Sequence, residues 1–422
     1  MDNKLTDLNT LYRAFRASME GSSWKEEPQR FEIDFLSELV ALKREIKGRT
    51  YATSEGSTFM HTERGKKRLI HGGRMRDRVI RHALCDEIIT PMLRPYLIYN
   101  NGASQKGKGI SFARGMFERD LHNYWIEHRS NDGYIGFIDL SKFYDNMQHD
   151  KLREAICPKI TEEGAWLLSE ILTTFEVDVS HMTDEEFERC LGEKFDSIAY
   201  FENVTEEMKT GRRMMPKSVD IGDQVSQDIG VFYPTPIDNY AKIVRGCRYY
   251  GRYMDDIYVI GATREEVKSI LEGIAKKAAE LGLFINEKKT HIAKLSDNFK
   301  YLQIRYTLTE TGKVIRRINP KNVTRERRKL KAYKRLLDRG EIEYEDIELS
   351  FMSWLGDAYK YMSNLQIDNM LNLYHELFGR IPTWKRHSRL RYRTALYLRT
   401  LGSQETTTSR RKRSQLMTSK AN

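Results

Sequence analysis

The chain has 422 residues, 40% of them hydrophobic and 31% charged, with a formal net charge of +11 and a pI of about 9.2. Such a length supports two to three domains around a sizeable core, and the composition reads as soluble and globular. No apolar run approaches the ~18 residues of a membrane-crossing helix, and four dispersed cysteines without a CxxC pair argue against a zinc site or a disulfide framework.

Residues 1–55 read as a helical N-terminal extension. Phe31, Phe35, Leu39, Leu42 and Ile46 recur at three- and four-residue spacing, and Gly48 stops the pattern. The polar stretch Met1–Arg13 lacks the apolar centre of a signal peptide, which implies a cytoplasmic protein. Residues 56–75 predict two short strands around a basic turn, Gly65-Lys66-Lys67-Arg68. Val79, Ile80, Ala83, Leu84, Ile88 and Leu93 then form a helical stripe.

Tyr134–Leu140 is a compact apolar run with an acid near its end, as a buried strand with a functional tip would be. A helix is predicted near Asp150–Ile156. Residues 178–208 are crowded with Asp and Glu and predict a solvated surface insertion, away from any phosphate path. Residues 246–261, GCRYYGRYMDDIYVIG, predict a β-hairpin carrying acids at its tip. An amphipathic helix follows over 264–281, ended by Gly282, and then the strand Leu283–Ile285.

From residue 321 the charge changes. Lys321, Arg325, Arg327, Arg328, Lys329, Lys331, Lys334 and Arg335 crowd one helical segment. A second basic cluster, Arg380, Lys385, Arg386, Arg389, Arg391 and Arg393, is interleaved with Trp384 and Tyr392. The positive balance favours a polyanionic partner, because each neutralised phosphate releases counterions. A solvated helical face is the plainer explanation of either cluster. The tail 403–422, rich in Ser, Thr, Lys and Arg, predicts disorder.

Asp139, Asp255 and Asp256 are the acids with a chemical pattern. In-line displacement at phosphorus can be driven by two Mg²⁺ ions ~3.5–4 Å apart. Mg²⁺ takes hard oxygen ligands, usually a few carboxylates completed by phosphates and water. Asp139 near the end of one strand and Asp255-Asp256 at a hairpin tip would supply them. Adjacent strand residues point to opposite faces, so the pair reaches one site only at a turn. Asp139 and Asp255 are then the bridging metal ligands and Asp256 a second ligand or supporting charge. Taken alone, an Asp-Asp pair is usually a solvated turn, and the flanking segments are what reverse that reading.

The segments around these acids resemble reverse transcriptases. Tyr253-Met254-Asp255-Asp256 is similar to their YxDD box, and Asp139-Leu140-Ser141-Lys142-Phe143-Tyr144-Asp145-Asn146 to their first catalytic motif. Lys66–Ile70 with Arg76–Leu84 resembles the fingers of group II intron-like members. Gly102–Gly109 resembles their AxxKGKG turn, Gly282–Thr290 the motif after the YxDD hairpin, and Phe299–Leu302 the primer-grip turn. The resemblance runs over roughly residues 30–400.

What it implies is an α+β right-hand polymerase. Fingers would span 56–133, a palm with an antiparallel sheet 134–310 (holding the 178–208 insertion), and a helical thumb 311–402. The activity implied is RNA-directed DNA synthesis with two Mg²⁺ ions, using deoxynucleotides, a template RNA and a cDNA product. Lys66 and Arg68 would hold the triphosphate, and Tyr144 would be the sugar gate, with core packing beside Phe143 as the lesser alternative. Gly222 would let the backbone approach the nascent base pair, with Gln227 nearby. Lys289 would act on leaving pyrophosphate, or serve only as a salt-bridging lysine. Lys106, Lys108, Arg325, Arg328, Lys331, Arg335, Arg389 and Arg391 would contact nucleic acid.

One stretch departs from the usual PQGxxxSP pattern. Ile221-Gly222-Asp223-Gln224-Val225-Ser226-Gln227 places an apolar residue before the glycine and Gln after the serine. This form resembles diversity-generating retroelement enzymes and defence-associated bacterial reverse transcriptases. The long 178–208 insertion tilts the expectation toward an antiviral defence system templated by a structured non-coding RNA. An error-prone diversity-generating enzyme, a template-independent or protein-primed nucleotide transferase, and a non-catalytic RNA-binding scaffold on the same fold are the rivals.

Overall fold

The computed structural model describes residues 4–54, 56–63, 65–384 and 389–399. The predicted tail 403–422 and the basic residues Lys385 and Arg386 lie outside the described residues. The chain divides into two compact units, Met1–Leu295 and Ser296–Asn422.

The first unit opens with α1 (Leu8–Met19), α2 (Glu26–Ile33) and α3 (Phe35–Gly48). Asp7 caps α1, its carboxylate accepting the Thr10 N–H at 3.0 Å. The single predicted stripe from Phe31 to Ile46 is broken at Asp34 into two helices, yet Phe31, Leu39, Leu42 and Ile46 still share one core. Gly48 is the last helical residue, not the cap. Arg49 takes the left-handed conformation, φ +52°, and its N–H reaches the Ile46 carbonyl at 3.1 Å.

Strands β1 (Ser57–Glu63) and β2 (Lys66–Gly72) form a hairpin in which Glu63 pairs with Lys66. The reversal therefore lies between Glu63 and Lys66, where Gly65 has φ +74°. Lys66, Lys67 and Arg68 belong to β2 rather than to the predicted turn. Helix α4 (Met75–Leu84) passes through a π-helical turn, Cys85–Ile89, into α5 (Thr90–Leu93). The predicted apolar stripe is buried throughout this run. Helix α6 (Ile110–His128) follows.

The central strand is β3 (Tyr134–Ser141), buried over Ile135–Leu140. Next come α7 (His149–Ile156), α8 (Glu162–Thr173), β4 (Val177–Asp178), α9 (Asp184–Gly192), α10 (Ser197–Asn203) and β5 (Met214–Met215). Between β4 and β5 the acidic segment has a small core of its own, Val179, Phe195 and Met215. Then follow α11 (Gln224–Phe232), α12 (Thr235–Asn239), the hairpin β6 (Tyr249–Tyr253) and β7 (Asp256–Gly261), α13 (Arg264–Glu280), β8 (Phe284–Ile285) and β9 (His291–Lys294). The sheet is antiparallel. β6 pairs with β7 and β7 with β3, while β8 and β9 share the other edge of β3. Helix α13 packs Val267 and Leu271 over it, close enough that a Cβ on Gly136 would meet Val267 at 2.7 Å.

The second unit begins with a separate three-stranded sheet of β10 (Phe299–Tyr301), β11 (Ile304–Leu308) and β12 (Val314–Ile318). Helices α14 (Pro320–Asp338), α15 (Tyr344–Ala358) and α16 (Asn364–Phe378) follow, and residues 389–399 are helical. Leu330, Phe351, Leu355, Leu371 and Tyr374 form its core. All four cysteines are free thiols. Among the described residues no helix is long and apolar enough to cross a membrane.

Candidate active site

The β3–β7 register sets Asp139 directly opposite Asp256. Tyr253 pairs with Asp256, so Met254 and Asp255 alone form the reversal of the hairpin, with Met254 at φ +54°. Asp256 thus begins β7 instead of sharing the tip. The Leu140 N–H donates to the Asp255 carbonyl at 3.3 Å, tying the tip to β3. Asp139 is buried; Asp255 and Asp256 are half-buried.

The Asp139 carboxylate accepts from Asn286 Nδ2 at 2.9 Å and from Lys289 Nζ at 2.5 Å. The Asn286 N–H also donates to the Asp139 carbonyl, at 2.8 Å. The segment after β8 therefore neutralises the first acid. Burial, then the charges of Asp256 and Asp139, push the Asp255 carboxyl up to about 7. Burial opposes the charge on Lys289, but its hydrogen bond to Asp139 and the surrounding acids hold the ammonium above its ordinary value.

Hard carboxylate oxygens that repel one another, with an ammonium already seated on one of them, form a donor set suited to a divalent cation. Among the described residues no group of three or more His, Cys, Asp or Glu side chains is placed to hold a metal by itself. Of the three acids, Asp139 and Asp255 line the adjoining cleft and Asp256 does not.

That cleft has a volume of about 690 Å³. Lys66, Arg68, Tyr144, Gly222, Gln227 and Lys289 line it together with Asp139 and Asp255. Lys66 and Arg68 come from β2 and are exposed. Tyr144 follows β3, its ring 5.3 Å from Phe143 and its hydroxyl 3.9 Å from Met254 Sδ. A Cβ on Gly230 would lie 3.0 Å from the Tyr144 hydroxyl, so a glycine on α11 makes room for the ring. Gly222 has φ +103° with open space beyond its Cα, a backbone that side chains other than hydrogen rarely adopt. Gln227 Oε1 accepts from Ser104 Oγ at 3.2 Å.

Ser104, Gly222 and Gln227 also border a second cleft of about 950 Å³, lined by Lys25, Arg78, Lys106 and Lys108 among others. Lys106 is exposed. Lys108 is bound within its own loop, donating to the carbonyls of Tyr99 at 2.7 Å and Asn101 at 3.1 Å.

In the second unit, Arg325, Arg328, Lys331 and Arg335 lie at three- and four-residue spacing on the exposed side of α14, opposite the buried Leu330. Arg391 is exposed, whereas Arg389 donates to the carbonyls of Tyr359 and Met362, both at 3.0 Å, and to Asn364.

Three features escaped the sequence reading. Arg252 and Asp238 form a fully buried ion pair beneath the hairpin, with Arg252 Nη1 also 3.3 Å from the Met254 carbonyl. The only signal was an arginine inside an apolar strand. Arg81 pairs with Asp223, both nearly buried, fixing the loop that holds Gly222. And the acidic insertion is not remote: Ser197 and Ile198 line the 690 Å³ cleft. Counting acids measured solvation, but the insertion is held by backbone carbonyls and amides, which composition does not reveal.

Residues 221–306 match the family model described as Reverse transcriptase (RNA-dependent DNA polymerase). The match covers about a fifth of the chain. It takes in Gly222, the Asp255-Asp256 hairpin and Lys289, while Asp139 and the fingers hairpin lie outside it. It supports a reverse transcriptase. No curated protein matches the chain.

Proposed function

We propose that the chain is a cytoplasmic RNA-directed DNA polymerase that copies an RNA template into cDNA from deoxynucleotides. The observation that carries this reading is the β3–β7 register. It brings Asp139, Asp255 and Asp256 to one end of the sheet, beside a cleft lined with basic residues.

Asp139 and Asp255 would hold two Mg²⁺ ions, with Asp256 as a supporting charge. When bound, the ions activate the 3′-hydroxyl and stabilise the leaving pyrophosphate. The chain's own residues do the rest. Lys66 and Arg68 attract and orient the triphosphate, the planar guanidinium suiting a phosphate face. The Tyr144 ring, backed by Phe143, excludes a 2′-hydroxyl. Gly222 keeps the backbone clear of the nascent base pair. The Lys289 ammonium carries a proton next to Asp139, where leaving pyrophosphate needs charge or a proton.

The fingers, palm and thumb of a right-hand polymerase are the domains we assign to 56–133, 134–310 and 311–402, after the helical extension 1–55. The Lys66–Ile70, Arg76–Leu84 and Gly102–Gly109 segments support a place among group II intron-like bacterial enzymes, and the Ile221–Gln227 pattern a place beside defence-associated ones. There we favour an antiviral defence system templated by an associated structured non-coding RNA. The same pattern supports a diversity-generating retroelement enzyme equally, and the RNA that co-purifies distinguishes them: template repeats favour the latter. The activity is tested by primer extension on RNA with Mg²⁺. Wild type extends the primer, and Asp139→Asn and Asp255→Asn each abolish extension while RNA binding survives. Extension at wild-type rate by either variant refutes the assignment.

A further inference from the structure

The acidic insertion is fixed to the turn that follows Asp139. Asn146 and Phe195 exchange two hydrogen bonds, Asn146 Nδ2 donating to the Phe195 carbonyl at 3.2 Å and Asn146 Oδ1 accepting the Phe195 N–H at 2.8 Å. Asp145 accepts the Ser197 N–H at 3.1 Å. From the other side, the fully buried Lys217 donates to the Glu193 carbonyl at 2.6 Å. The base of α10 is therefore rigid with respect to Tyr144, one residue before Asp145.

Farther out, Glu202 on α10 is ion-paired with Lys67 on β2. Side chains alternate along a strand, so a Lys67 turned to α10 leaves Lys66 and Arg68 on the opposite face. At the other end of α10, Asp196 accepts from Lys142 Nζ at 2.7 Å. Two lysines that border the cleft are thus each held by a carboxylate of the insertion.

We propose that the insertion is a positioning element of the nucleotide cleft. Glu202 holds the β1–β2 hairpin through Lys67, and Asp196 holds the turn after β3 through Lys142, so that Lys66, Arg68 and Tyr144 meet the incoming nucleotide together. This rests on reading the cleft as a deoxynucleotide site. Neither carboxylate touches the nucleotide; each acts through its lysine. Asp196 Oδ1 also caps α10, accepting the N–H groups of Ile198 at 3.1 Å and Ala199 at 3.2 Å. An asparagine there keeps the cap and removes the charge.

The test is steady-state primer extension by the full chain with a primed RNA, Mg²⁺ and one varied deoxynucleotide. Glu202→Gln and Asp196→Asn each raise KM for the deoxynucleotide about two- to fivefold, the scale an exposed ion pair can move. Their kcat changes by less than about twofold. Lys67→Gln raises KM as Glu202→Gln does, and the charge-swapped Lys67→Glu/Glu202→Lys returns it to within about twofold of wild type. A merely destabilised hairpin gives no such rescue. Unchanged KM in Glu202→Gln, or a swap no better than either single change, overturns the positioning role while wild type still polymerises. A wild-type chain that extends no primer overturns the reading of the cleft itself, and this inference with it.

Discussion

Arg252 and Asp238 meet in a fully buried, two-pronged ion pair three residues before Asp255, with Arg252 Nε 2.9 Å from Oδ1 and Nη2 2.7 Å from Oδ2. The remaining valences are satisfied: Nη2 also donates to the Val231 carbonyl at 2.8 Å, and the Tyr250 hydroxyl donates to Asp238 at 2.7 Å. Removing one partner leaves an uncompensated buried charge. We expect Arg252→Met to lose about 3–5 kcal/mol of unfolding free energy in a urea titration. Arg252→Met with Asp238→Asn, which removes both charges, should lose less than the single change. Matching unfolding midpoints for wild type and Arg252→Met would contradict the bracing role.

Crowding of the acids makes the metal-free site sensitive to pH. The folded Asp255 carboxyl titrates at about 7, above the ordinary carboxylate range. A group raised in this way stabilises the fold while protonated, and that contribution fades as pH rises through about 7. In EDTA, the melting temperature of wild type should therefore fall between about pH 6 and about pH 8 more steeply than that of Asp255→Asn. Mg²⁺ should restore it at the upper pH, and its binding near pH 6 should release protons, read as a buffer-dependent heat in calorimetry. Identical profiles for wild type and Asp255→Asn would remove the crowding argument.

Much of this centre was legible beforehand because its signals are local. An unbroken apolar run ending in Asp139 and two strand-like runs around Met254–Asp256 have strand periodicity, and both became strands of one sheet. The cap residue of α3 and the buried ion pair were not legible in that way. Gly48 ends α3 as the pattern predicts, but the left-handed conformation falls on Arg49 and not on the glycine. Asp238 precedes its partner Arg252 by fourteen residues, and nothing in that spacing announces a buried pair.

Tyr144 should discriminate between sugars by volume. We expect Tyr144→Ala to lower the preference for deoxynucleotides over ribonucleotides by about tenfold or more, given what one misplaced group costs a fitted pocket. Gly230→Ala offers a test from behind. Its new Cβ would press on the Tyr144 hydroxyl at 3.0 Å, so the ring must shift. Competition assays with paired deoxy- and ribonucleotides should report altered discrimination in both variants. Wild-type discrimination in Tyr144→Ala would assign the ring to packing beside Phe143 alone.

Lys289 separates two effects that usually move together. Its ammonium sits on the Asp139 oxygen that a cation would need, so it competes with metal for that oxygen. In the proposed reaction the same ammonium would carry the proton for the leaving group. Lys289→Gln should therefore lower the Mg²⁺ concentration needed for half-maximal activity, because Asp139 is no longer paired with a cation. It should also lower kcat by about tenfold or more, the scale of a lost general acid. The two readouts run in opposite directions only if the lysine has both roles. A drop in kcat with an unchanged metal requirement would leave it as a proton carrier. A lower metal requirement with unchanged kcat would leave it as a counter-ion for Asp139.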